Sequence, residues 1–401
     1  MVTGRAVAFI ITALILYVFG NQTQVGWLYV MSALIGGLVV VGWMLSRSAL
    51  RGIQGERAFD SDECYEGDTL DLELRLKRRS GFSAYQVALT EICPLAAPDQ
   101  RENKLFAPVI STQTPLVFAY SVIADRRGIY HFPLLTMRSG FPFGFFRRRG
   151  SLNIATDILI YPEVRPITRF PLLDRKLAAQ RTTNRAGYGG EVIGVRPFRS
   201  GDLPRHVHWR STARTGQLMS KEFADEQQPT LMLILDTRFD GDTSSKHNPF
   251  EWAVKCAVSV VDYANRRHIP FTLSQGDPHV PTSPTTLTWD AFLQVMARVQ
   301  PASTPFDELL HAGHGTLIVA VIPQPNIDHF IPLAAAHARG ASLTVILLDN
   351  ASFGIGDSRA ADLHERLRTA SIDCLIVRQS HDYADSFITS IPSNMAAYEP
   401  V

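Results

Sequence analysis

No charged residue lies between Arg5 and Arg47. Within that stretch Ala6 to Phe19 is one apolar run and Val25 to Leu45 is another, separated by the polar turn Gly20-Asn21-Gln22-Thr23-Gln24. A helix needs about 20 apolar residues to cross about 30 Å of hydrocarbon. The second run meets that length; the first is short and must draw on its flanks. The pattern predicts a transmembrane hairpin over residues 1–50. Arg5 precedes the hairpin, Arg47, Arg51 and Arg57 follow it, and the turn carries no Lys or Arg. The positive-inside rule then places both ends in the cytoplasm. The expectation is a two-helix protein of the inner (cytoplasmic) membrane with its soluble parts inside. The rival for the first run is a signal peptide with small residues near Val18 and Gly20. The second run would still anchor such a chain.

Past the hairpin the texture changes twice. Over residues 51–165 the period is two. Leu70, Leu72, Leu74 and Leu76 alternate with Thr69, Asp71, Glu73 and Arg75, and Leu116, Phe118, Tyr120 and Val122 repeat the pattern. Such alternation gives a strand one apolar face. Turn signals at Glu66-Gly67-Asp68, Ser80-Gly81 and Arg127-Gly128 separate the runs, which predicts a β-sandwich-like domain. Its loop Ser139 to Phe146 is rich in aromatics and runs into Arg147-Arg148-Arg149. That loop either folds into the core or touches anionic lipid. Residues 166–228 form a connector, with a polar helical stretch near Leu172 to Arg181.

Residues 229–401 alternate short apolar runs with helical patterns. The runs are Leu231–Leu235, Ile269–Leu273, Leu317–Ile322, Leu343–Leu348 and Cys374–Val377. Continuous apolar runs suit strands buried on both faces. Asn248 can cap a helix, with Pro249 at its first position and Glu251 three residues after the cap. Further helices are expected near Asp290–Val299, Ile327–Ala338 and Asp357–Ala370. The alternation implies an α/β doubly wound parallel sheet. The fold class is therefore a membrane α-hairpin, then a β-sandwich-like domain, then an α/β domain.

Charge and cysteine usage exclude little but usefully. The net charge is +1, so no global field favours nucleic acid. Cys64, Cys93, Cys256 and Cys374 are far apart and form no Cys-x-x-Cys pair, which argues against zinc and fits a reducing compartment. The sequence has no Gly-x-Ser-x-Gly elbow, phosphate loop or His-Glu-x-x-His motif. His311 and His314 read as a loop, and His364-Glu365 as a solvated helix face. No catalytic residue and no cofactor is assigned. In an open α/β sheet, ligands bind beyond the carboxyl ends of the strands, and Asp236 ends the first one. Von Willebrand factor A domains carry Asp-x-Ser-x-Ser there for a divalent metal. Arg238 and Asp240 stand at the serine positions, so Asp236 marks a degenerate metal-site position.

The densest motif is Arg196 to Arg214, with five arginines, Asp202, two histidines and Trp209 in nineteen residues. A carboxylate at Asp202 can accept paired bonds from a guanidinium, with Arg196, Arg205 and Arg214 as candidates. Trp209 can stack on an arginine. Two readings stand level: a clasp that pins the connector, and an outward face for an anionic or acidic partner. In a third, Arg199, Arg205 and Arg210 clamp a phosphorylated substrate with His208 as general acid. Glu222, Asp225 and Glu226 follow and can absorb part of the positive charge.

The run resembles the pattern Arg-x-Tyr/Phe-x-x-Gly-Asp-x-x-Arg-x-Ile/Val-x-Trp-x-x-Ser/Thr-Ala-Arg of the domain of unknown function 58 family. Arg196, Phe198, Gly201, Asp202, Arg205, Val207, Trp209, Thr212, Ala213 and Arg214 match it. The layout of hairpin, β-rich region, motif and C-terminal domain is similar throughout. The resemblance implies a von Willebrand factor A-like C-terminal domain. It also implies a non-enzymatic membrane-anchored scaffold or adaptor, partnered with a MoxR-type AAA+ ATPase in assembling or activating other complexes. The lipid bilayer is the other expected partner.

Overall fold

The computed structural model describes residues 2–61, 63–97, 99–185, 192–199, 202–223, 230–243, 245–278, 287–310, 316–356, 359–379 and 382–389. The chain divides into two compact units, Met1–Tyr161 and Pro162–Val401.

The first unit opens with two helices, α1 (Gly4–Thr23) and α2 (Gly26–Ser48), each long and apolar enough to cross a membrane. The residues read as a turn are mostly helical. Gly20 to Thr23 continue α1, and the chain reverses at Gln24, in the left-handed region at φ 57°. The first run thus reaches spanning length by recruiting its polar flank. Small residues lie at the helix–helix contact beside an aromatic pair: Ser32 Oγ donates to the Ala13 carbonyl at 2.7 Å, Gly20 lies against Leu28 and Tyr29, and the Tyr17 and Tyr29 rings meet edge to face. Close packing of small residues is how apolar helices associate without a hydrophobic driving force.

Four residues later the β region begins. Its strands are β1 (Ile53–Phe59), β2 (Cys64–Tyr65), β3 (Thr69–Arg78), β4 (Ala84–Ile92) and β5 (Glu102–Ile110), then β6 (Leu116–Ile123), β7 (Gly128–Phe132), β8 (Leu135–Ser139), β9 (Arg148–Leu152) and β10 (Thr156–Tyr161). They form three sheets, ordered β1-β3-β6, β2-β10-β7 and β5-β4-β8-β9. Leu70, Leu72, Leu74 and Leu76 are all buried, as period two requires. Inside lies an ion pair that alternation does not announce. Arg57 Nε meets Glu91 Oε1 at 2.9 Å, both side chains 1% exposed, while Arg57 Nη1 donates to the Ile154 carbonyl.

The aromatic loop after β8 does not enter the sandwich core. Phe145 is buried with Ala6 of α1 and Val39 of α2, and its ring centroid lies 4.8 Å from that of Phe9. The Thr3 N–H donates to the Phe145 carbonyl, and Val2 bridges Phe146. At the far end of α2, Arg78 Nη2 donates to the Ser48 carbonyl at 2.7 Å. The β region is therefore fastened directly to the helix ends.

The second unit is built on β13 (Leu231–Leu235), β14 (Phe271–Gln275), β15 (Leu317–Ile322), β16 (Ser342–Leu348) and β17 (Asp373–Val377), preceded by a two-stranded ribbon of β11 (Val192–Pro197) and β12 (Met219–Phe223). The five strands are parallel in the order β14-β13-β15-β16-β17. Alternate residues of β15 serve opposite faces: Ile318, Ala320 and Ile322 join the cluster with Leu333, Leu363 and Leu367. Leu317, Val319 and Val321 are buried as well, which is why the run carries no polar alternation.

The helices of this unit are α3 (Pro171–Arg185), α4 (Trp209–Thr215), α5 (Pro249–Asn265), α6 (Trp289–Arg298), α7 (Phe306–Leu309), α8 (Phe330–Ala338), α9 (Arg359–Thr369) and α10 (Tyr383–Ile388); α4 packs on β12 of the ribbon and the others lie with the sheet. Asn248 caps α5, accepting the Glu251 N–H at 2.8 Å. Pro249 follows it at the first position. This helix is buried almost all round, so even Lys255 lies inside, beside Glu163. The Ile327–Ala338 pattern resolves into a 3-10 turn, Ile327–His329, followed by α8. The connector helix α3 belongs to this unit. Lys176 Nζ donates to the Leu343 carbonyl and pairs with Asp373 at 3.0 Å, and Phe170 packs on Tyr263 and Phe387.

Candidate functional site

Two places in the second unit gather the charged residues that the sequence singles out. The first is the motif. β11 and β12 pair antiparallel, with Arg196 opposite Ser220 and Pro197 opposite Met219. The chain between them must reverse, and Asp202 organises the reversal. Its carboxylate accepts Arg196 Nη1 at 2.8 Å and Nη2 at 2.7 Å, and the Arg199 N–H at 2.9 Å. The hydrogen bonds from Arg196 and Arg199 hold the Asp202 carboxyl below the usual carboxylate range. Of the three arginines proposed as partners, Arg196 takes both oxygens. Gly201 lies outside the described residues, as do the side chains of Glu222, Asp225 and Glu226.

Past the clasp, a 3-10 turn (Pro204–His206) leads to α4. Val207 is buried and bridges Ser220, and the His208 N–H donates to the Met219 carbonyl at 2.8 Å. His208 also caps α4: its Nδ1 accepts the Ser211 N–H at 3.2 Å. Thr212 Oγ1 accepts the Met219 N–H, and Gly216 ends the helix at φ 69°. Buried and capping residues thus face the ribbon. The other face is open. Trp209 is 71% exposed, and among the described residues no arginine covers its ring. Ala213 sits one turn on from Trp209 and has no side chain with which to shield the indole. Arg199, Arg205, Arg210 and Arg214 are exposed, with Leu203 and Leu218 beside them. Between residues 194 and 221 there are six Lys and Arg against the single carboxylate of Asp202. The motif thus pairs Arg196 with Asp202 and leaves Trp209 exposed among arginines.

The second place is the carboxyl end of the parallel sheet. Asp236, directly after β13, is fully buried. Arg238 Nε meets its Oδ1 at 3.2 Å, and the Arg238 N–H donates to the same oxygen at 3.1 Å. His329 Nε2 lies 2.8 Å from Oδ2, while its Nδ1 accepts the Asn326 N–H at 3.0 Å. Both carboxylate oxygens are thereby taken by protein groups. Among the described residues no cluster of three His, Cys, Asp or Glu could hold a metal. Beside this group opens a cavity of about 390 Å³ lined by Arg238, Asn326, His329, Asn350 and Arg359 among others. His329 was not a sequence candidate. It lies 93 residues from Asp236, and only the sheet brings them together. His311 and His314 lie outside the described residues.

The model of the family described as "Protein of unknown function DUF58" matches residues 194–313, from the ribbon through the first two strands of the sheet, β13 and β14, and the helices that follow them. The chain belongs to the DUF58 family. A curated relative, the uncharacterized protein YeaD of Bacillus subtilis (strain 168), is 22% identical over 231 residues, and the match spans 56% of each chain. The DUF58 chain thus matches little more than half the length of that relative. Among solved structures, the sporulation control protein Spo0M from Bacillus subtilis gives a TM-score of 0.17 at 9% identity, covering 37% of this chain and 59% of its own. A GH20 exo-β-N-acetylglucosaminidase from Vibrio harveyi gives 0.22 at 9% identity, covering 81% and 75%. At those scores neither likeness bears on fold or activity.

Proposed function

We propose that this DUF58 protein is a membrane-anchored adaptor whose motif docks an acidic surface of a protein partner, a MoxR-type AAA+ ATPase. The observation that carries the reading is the exposed Trp209 on a face of four exposed arginines, with Arg196 and Asp202 fixing the scaffold beneath. Trp and Arg are the residues over-represented where binding energy concentrates. An exposed indole ringed by cations suits an acidic partner. The hairpin holds the chain in the inner membrane, and the arginines flanking it favour a cytoplasmic position for both units.

We further infer that the sheet unit is of the von Willebrand factor A type with its metal position converted. Asp236 stands where the metal ligand would, and Arg238 supplies a fixed cation in place of an ion. Calorimetry with magnesium and manganese should give no heat; a binding isotherm would return the unit to the metal-dependent class.

The adaptor reading predicts that crosslinking in native membranes captures an AAA+ protein and that Trp209→Ala weakens the capture. Retention of the same partner after deletion of the whole second unit, motif included, would sink it. The enzyme reading uses Arg199, Arg205, Arg210 and His208. Phosphate binding with His208-dependent turnover by the purified protein would replace the adaptor with that enzyme.

A further inference from the structure

The first unit has a second basic surface, and it is placed by the strands. β1 runs away from α2 and β3 returns toward it, with Ile53 opposite Arg78. The ends nearest the helices are therefore residues 49–55, the β3–β4 loop, the β5–β6 loop and the aromatic loop. Residues 2–55, 78–87 and 138–152 contain nine arginines and not one Asp or Glu. Residues 111–115, in the β5–β6 loop, carry no charge at all. The opposite end carries Asp60, Glu63, Asp68, Asp99 and Asp125, with Arg101, Arg126 and Arg127 among them. The end nearest the helices is thus basic without any acid, and the acids of the loops gather at the other end.

Aromatic side chains stand on the same basic rim. Phe82, at the tip of the β3–β4 loop, is 90% exposed, and Phe143 in the aromatic loop is 44% exposed. The first loop is tied to the join between α2 and β1, where the Arg79 N–H donates to the Gly52 carbonyl, and Phe143 and Phe145 of the second close on Gly42 of α2. The Arg47 guanidinium lies 4.4 Å from the Trp43 ring centroid at the last turn of α2. An exposed phenylalanine 90% open to solvent is costly in water and favourable at a headgroup layer, where amphipathic and aromatic groups gather.

We propose that this rim rests on the anionic leaflet of the bilayer, with Phe82 and Phe143 inserted at headgroup level and the surrounding arginines on lipid phosphates. The proposal rests on the reading of α1 and α2 as membrane-spanning. It is continuous with them: the rim sits where the helices end, and its charge is complementary to the lipid. Each exposed arginine at an anionic surface contributes about 1 kcal/mol, which corresponds to about fivefold in lipid retention.

The full chain is reconstituted in nanodiscs of phosphatidylcholine alone or in equal parts with phosphatidylglycerol. A fluorophore at Phe82→Cys, in a Cys374→Ser background, should emit to the blue and be shielded from iodide severalfold relative to one at Gln100→Cys on the acidic end. Arg51→Gln and Arg149→Gln should each lower phosphatidylglycerol retention about fivefold, and the lysine variants should restore it. Equal iodide access at positions 82 and 100, with a hairpin that resists carbonate extraction, would overturn the rim while leaving the membrane anchor intact. Unchanged retention in the glutamine variants would do the same. Release of the chain by carbonate would overturn the anchor and the rim together.

Discussion

Two Asp–Arg pairs in the second unit look alike in sequence and do opposite work. In the motif, Asp202 engages Arg196 with both oxygens, the side chains 16% and 30% exposed. That acid takes Arg196 with both oxygens, while Arg199, Arg205, Arg210 and Arg214 are exposed. At the end of β13, Arg238 and His329 consume the one buried acid, Asp236. The first pair sits under a face on which Trp209 and four arginines are exposed. The second leaves a buried carboxylate with both oxygens taken by protein groups. The difference lies in which partner is scarce.

Removing the acid should therefore break the two sites unequally. Asp236→Ala leaves His329, 3% exposed at its side chain, with an unmet polar group. A buried group so stranded costs about 1–3 kcal/mol, to be read as a lowered urea midpoint. Asp202→Ala should shift the midpoint less, because Arg196 can turn to water; a shift as large as that of Asp236→Ala would make the motif clasp the main support. Trp209→Ala should change stability by no more than about 0.5 kcal/mol while lowering partner capture. A large loss of stability there would move Trp209 from docking to structure. The smallest effect is on pH. Asp202 has a folded pKa below its unfolded value of about 3.9. Its contribution is complete above that value and fades as pH falls through the folded one. A carboxyl titration that begins above about pH 4 would break the clasp.

Local signals were the legible ones. Asn248-Pro249-Phe250-Glu251 announced the start of α5 because capping is settled within four residues. The apolar runs announced β13 and β15 because both faces of those strands are buried. The run at Ile269 was displaced by two residues, since Ile269 is buried ahead of the ladder that starts at Phe271. What stayed hidden depends on distant approach. Arg57 meets Glu91, and His329 meets Asp236, only after sheets assemble. Whether the motif faces in or out was likewise undecided until β11 and β12 paired. Pairing put Ser211 and Thr212 beneath and Trp209 above.

The short join between α2 and β1 has a mechanical meaning. Only Ala49 to Gly52 separate helix from strand, and Arg78 and Arg79 brace the join from the neighbouring strand. There is no slack in which a rotation could be lost. A torque on the β region would reach α2 as tilt, so in a chain anchored by that helix this unit would work as a lever rather than hang as a tether.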